Sequence, residues 1–168
     1  GNICTPGCSM DAAAVLVALD ARYELRSAAA AKWVSSLRFE TEEGSSVPGS
    51  QELLTRVRVP LEQWDYTIYR KIGHPHRREG DGAAAVFIAR AQKDILSEVR
   101  LVFSGSTLIR ERTIEASLAG KTLPLARREA QVFLDRWRTL FSEAPYPEGL
   151  LRATLLNFIE SAVMGLSD

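Results

Sequence analysis

The spacing of apolar positions changes character along this chain, and each change marks a boundary between elements. Asp11 stands where an N-cap would stand, ahead of Ala12, Val15, Leu16 and Leu19, and the spacing predicts a helix over 11–20. Short alternations of apolar and polar residues over 22–26 and 32–36 predict two strands joined by an Ala-rich turn. A Glu-, Gly- and Ser-rich stretch over 41–50 has the composition of a surface loop. Val57 and Val59 then alternate with Arg56 and Arg58 in a strand over 53–59 that Pro60 ends.

Three segments follow, at 64–71, 83–91 and 95–103, rich in β-branched and aromatic residues and separated by polar or Gly/Pro turns. They predict a three-stranded antiparallel sheet. Beyond Ser106 the period becomes helical: Ile114 and Leu118, then Ala130, Phe133, Leu134, Trp137 and Phe141, then Leu151, Leu155, Ile159 and Val163 recur at three and four. Three helices are expected there, with Gly120 as a C′ residue and Pro147 near the start of the last. Strands followed by helices make an α+β pattern in which helices cover one face of the sheet. The expected division is residues 1–60, the remainder of something larger, and residues 61–168, one complete small domain.

Composition narrows the function classes only by exclusion. Lys plus Arg equals Asp plus Glu at 21 each, so no global field steers the chain to nucleic acid or an anionic membrane. The longest apolar stretches fall short of the roughly 20 residues that cross a bilayer, so no membrane span is expected. Cys4 and Cys8 are too few for a disulfide scaffold, which makes a reducing cytoplasm the expected location. With His74 and His76 they are all the Cys and His in the chain, and their spacing does not match a zinc finger, so no metal site is expected. The closely spaced histidines assemble no Ser-His-Asp set, and no catalytic side chain is assigned.

Recognition rests on an ordered series of short motifs. The run Gly1-Asn2-Ile3-Cys4-Thr5-Pro6-Gly7-Cys8-Ser9-Met10-Asp11 resembles the flavin-binding loop of molybdenum hydroxylase FAD subunits, in register from Asn2 to Asp11. The resemblance continues through Ala18-Leu19-Asp20-Ala21, through 52–60, and through Arg77-Arg78-Glu79-Gly80-Asp81. It reaches Arg110, Glu115, Leu118, Ala119 and Gly120, similar to a signature that follows the sheet in that family. It implies a C-terminal α+β domain preceded by the second part of a vanillyl-alcohol-oxidase/PCMH-like FAD-binding domain.

The same resemblance implies that Gly1, Asn2, Ile3 and Thr5 line an FAD, with Asp11 accepting hydrogen bonds from it or bracing the loop. A glycine lets backbone approach a dinucleotide closely, and N–H groups ahead of a helix can meet a pyrophosphate. Asp11 is equally the residue type of a plain N-cap. Lys71 matches a position near the flavin ring, where a cation can balance negative charge, and Asp81 matches an acidic position on the same loop. Departures fall in the same regions: Gly7-Cys8 replaces Ser-Pro, His74-Pro75-His76 lengthens the loop after Lys71, and Ser104-Gly105-Ser106 reduces a Gly-Gly turn. The first half of the FAD domain, with its own glycine-rich loop, is missing from this sequence, leaving about half a flavin site.

The implied function is electron transfer. FAD would receive electrons from 2Fe-2S clusters on an iron-sulfur subunit, beside a molybdopterin-binding subunit, and pass them to an external acceptor. The competing expectation is a non-catalytic assembly domain that keeps the fold and has lost FAD.

Overall fold

The computed structural model describes residues 3–4, 11–41, 48–73, 82–144 and 147–167, without the side chains of 11, 40 and 41. Helix α1 (Asp11–Ala18) leads into strands β1 (Arg22–Arg26) and β2 (Ala31–Ser35), then helix α2 (Ser36–Thr41) and strand β3 (Leu53–Arg58). These strands form one antiparallel sheet in the order β2-β1-β3. Strands β4 (Tyr66–Ile72), β5 (Ala83–Gln92), β6 (Ile95–Ser104) and β7 (Leu108–Arg110) form a second antiparallel sheet in chain order. A short helix α3 (Arg112–Glu115) with a 3-10 turn (Ala116–Leu118) precedes the long helices α4 (Arg127–Glu143) and α5 (Gly149–Met164).

Most predicted elements fall within a residue or two of their places, and the α+β class stands. The second sheet differs from expectation in having a fourth strand. Strand β7 is only three residues, too short for a period to register, and it pairs through Val102↔Arg110 and Ser104↔Leu108. Helices also cover both faces of this sheet, not one. Ala83, Ala85, Phe87, Ala89, Leu101 and Phe103 face α4 and α5. Ala84, Val86, Ile88 and Val102 face Ala14, Val17 and Ala18 of α1. Burial on both faces explains why β5 is a nearly continuous apolar run where a half-exposed strand would alternate.

Local chemistry fixes the register. Lys93 and Asp94, between paired Gln92 and Ile95, both take positive φ (51° and 61°), the geometry of a two-residue type I′ hairpin turn. Gly120 takes φ 81° after the 3-10 turn, and its N–H donates to the Leu96 carbonyl at 2.7 Å. The aromatic core lies between β6 and the long helices, where Phe103 and Trp137 meet edge to face with centroids 5.5 Å apart. Helix α1 is apolar nearly all round because it is enclosed between the two sheets: Leu16 also packs toward Tyr23, Leu25 and Phe39 of the first sheet's core.

Candidate functional site

The residues that carry the family resemblance fall into two groups, one around α1 and one at the joint that holds α1 in place. Ile3 and Cys4 pack partly buried against the core formed by Ala21, Tyr23, Leu25 and Phe39. Asp11 is the first residue of α1, whose opening N–H groups have no partner within the helix by geometry. Gly1, Asn2, Thr5 and Asp81 lie outside the described residues, as do Cys8, His74 and His76. Lys71 is exposed on β4, opposite Ala84. Since Ala84 faces α1, the alternation of the strand puts Lys71 on the face of the second sheet that α1 covers. The structure therefore brings Lys71 and α1 to one face of the second sheet, while Ile3 packs against the core of the first.

The signature after the sheet has a different role from flavin contact. Arg110 and Glu115 are buried and paired, with the Arg110 Nε–H 3.1 Å from one carboxylate oxygen of Glu115 and 3.3 Å from the other. That first oxygen also accepts the Leu101 N–H at 2.8 Å, just beyond the point where β7 stops pairing with β6, so the side chain substitutes for the missing strand. Arg110 reaches further, donating to the Val17 carbonyl at 3.0 Å and to Asp20 at 2.6 Å. The motif is thus a clamp between the sheet and the C-terminal end of α1.

Arg100 completes the clamp. It lies on β6 on the α1 face, almost fully buried, and donates to the Ala18 carbonyl at 2.7 Å while pairing with Asp20 at 3.1 Å and Glu98 at 2.7 Å. Trp64 lies against its guanidinium, 4.6 Å from the ring centroid. Asp20, held at φ 50°, receives both arginines at the turn that ends α1. The helix's last carbonyls and the turn after them are satisfied by cations, which also complement the negative end of the helix. Burial pushes the Glu115 carboxyl above its ordinary value, and the Arg110 guanidinium and Leu101 N–H pull against that.

Sequence reasoning missed Arg100. A lone Arg in an alternating strand reads as solvent-facing, and the signal that could have found it is its register with Val102, an inward position. Among the described residues no group of His, Cys, Asp and Glu could hold a metal, and no helix is long and apolar enough to cross a membrane.

Residues 1–62 match the family described as the FAD binding domain in molybdopterin dehydrogenase. No curated protein matches the chain in sequence. The fold is similar to that of a chain of the carbon monoxide dehydrogenase from Hydrogenophaga pseudoflava that lacks the Mo-pyranopterin moiety of its molybdenum cofactor. The TM-score is 0.71 at 20% identity, over 94% of this chain and 56% of that one. Reconstituted CO dehydrogenase from Oligotropha carboxidovorans matches with a TM-score of 0.69 at 20% identity, over 95% of this chain and 57% of that one. Quinoline 2-oxidoreductase from Pseudomonas putida 86 matches at 0.65 and 16% identity, over 99% of this chain and 58% of that one. The chain thus spans less than two thirds of the length of each structure it matches.

Proposed function

We propose that the chain, whose residues 1–62 match the FAD binding domain in molybdopterin dehydrogenase, forms the later part of an FAD-binding electron-transfer component of a molybdenum hydroxylase. The observation that carries the reading is the convergence of Lys71 and α1 on one face of the second sheet. Gly1, Asn2, Ile3 and Thr5 would approach the cofactor ahead of α1, with Ile3 contributing main chain because its side chain packs into the core. Asp11 and Asp81 would place carboxylates at the rim. FAD, when bound, supplies the electron storage and transfer chemistry. The polypeptide holds α1 rigidly through Arg100, Arg110 and Asp20, and Lys71 sets a cation beside the ring.

The reading places residues 1–60 in the FAD domain and 61–168 in a C-terminal domain, within a cytoplasmic complex. An iron-sulfur subunit carrying 2Fe-2S clusters and a molybdopterin-binding subunit are its proposed partners, and an earlier part of the FAD domain would supply the remaining pyrophosphate contacts.

Lys71 provides the test. A cation beside the ring favours the reduced flavin, so Lys71→Met is expected to lower the flavin midpoint potential of the full subunit. The expected change is about 1 kcal/mol, or roughly 20 mV for a two-electron couple, with FAD occupancy held constant. Asp81→Asn is expected to move the potential the opposite way. A potential unchanged in both variants returns the two residues to an ordinary solvated surface.

A further inference from the structure

Tyr23 and Leu25 of β1 point into the core of the first sheet, so alternation puts Arg22, Glu24 and Arg26 on its other face. Residues directly opposite one another share a face, which adds Arg58, Arg56 and Leu53 from β3 and Ser35, Trp33 and Ala31 from β2. All four arginines are exposed, and Glu24 is the only carboxylate in the three strands. Glu24 is buried between its neighbours and accepts the Thr55 hydroxyl at 2.6 Å, while Arg26 and Arg56 approach it only to 3.8 and 3.6 Å. Arg58 lies over the Trp33 ring, 4.5 Å from its centroid. Arg22 stands directly opposite Arg58, and among the described residues no carboxylate forms a salt bridge with either. Like charges so placed cost stability. Leu53, 71% exposed beside Arg26, leaves apolar surface on the same face.

We propose that this face docks an acidic surface of a partner protein, whose carboxylates the four arginines hold while Trp33 and Leu53 supply apolar contact. Guanidiniums that repel one another in the free chain are each satisfied by a planar, bidentate carboxylate, and Arg and Trp are the residue types that carry binding energy at protein interfaces. The uncompensated opposition of Arg22 and Arg58 is a local cost to the fold that a partner's carboxylates relieve. A nucleic-acid strand fits less well. The chain has no net positive charge to draw a polyanion, and Glu24 interrupts the basic face where a run of phosphates would cross it. A second copy of this face repels the first. The face is also turned away from α1, whose Leu16 packs on the core side of the sheet.

The experiment titrates the full chain, isotope-labelled, with a short capped helical peptide that presents a row of glutamates, and in parallel with its lysine counterpart and an oligothymidylate of equal charge. The glutamate peptide is expected to shift the amides of 22–26, 31–35 and 53–58 and the Trp33 indole, to leave those of α5 in place, and to bind more weakly as salt is raised. Arg22→Glu places a carboxylate opposite Arg58, so it is expected to raise the urea midpoint while raising Kd for the peptide at least about tenfold. A residue that served only the fold would not strengthen folding and weaken binding together. Arg22→Gln, with the same signs and smaller size, carries the test should the first variant fail to fold. The proposal is overturned if the glutamate peptide leaves the signals of this face in place, if the lysine peptide binds equally well, if the oligothymidylate binds more tightly at the same amides, or if Kd is unchanged in both variants.

Discussion

Truncating Trp137 to alanine is expected to destabilise the protein by about 3–5 kcal/mol, read as a fall in the urea midpoint at unchanged slope. Trp137 is fully buried on α4 and touches Phe103, Phe133 and Phe141, each at an edge-on angle with centroids 5.5 to 6.5 Å apart. Removing the indole opens a void at the point where β6, α4 and α5 meet, and Phe103, fixed by its contacts with Phe141 and Phe158, cannot collapse into it. Its Nε1–H makes no hydrogen bond with the described residues. Trp137→Phe therefore loses packing and no polar partner, and its cost is expected to stay below about 1.5 kcal/mol. Equal losses in the two variants would show that the ring's hydrogen bonding, not its volume, sustains the core.

Glu115→Ala is expected to cost about 3 kcal/mol, because it strips the buried Arg110 of one of its two carboxylates and leaves the Leu101 N–H without an acceptor. Glu115→Gln keeps an acceptor for Leu101 at similar volume and should cost much less. The pH dependence follows from the direction of the carboxyl's shift. Burial raises its folded-state value above the unfolded value of about 4.3, so protonation favours the folded state. The resulting stability is fully present below the unfolded value and is lost as pH rises through the raised folded one. The stability of the native protein relative to Glu115→Gln should therefore be greatest in acid, decline as pH rises through that window, and level off above it. A difference that grows with pH would mean that the Arg110 cation, not burial, governs the carboxyl.

The periods that named the long elements were legible because those elements are half-covered or long. Helix α4 repeats Ala130, Phe133, Leu134, Trp137 and Phe141 on one side over about three turns, enough for its period to be read directly. Strand β7 offers three residues and gives no period at all. The covering of both sheet faces was written in β5, whose apolar residues do not alternate, yet a continuous run reads equally as a buried strand or a buried helix piece. The family signature at Arg110 and Glu115 was visible as a motif, but its physical role was not: a clamp on α1 needs the partner Asp20, ninety residues earlier, which only the fold brings to 2.6 Å. Of the residues that the resemblance assigns to the flavin, Lys71 shares a face with α1 by strand register, a relation that follows from alternation once Ala84 is known to face inward.

The most direct test of the central claim is the flavin content of the purified full-length subunit, measured from its absorbance bands and by release of the cofactor on denaturation. One FAD per polypeptide is the expected result, with the 168-residue chain by itself showing no submicromolar affinity, because the proposed reading assigns about half of the pyrophosphate contacts to an earlier part of the domain. A full-length subunit that carries no flavin and takes up none from excess FAD would contradict the account, and would mark this fold as an assembly domain.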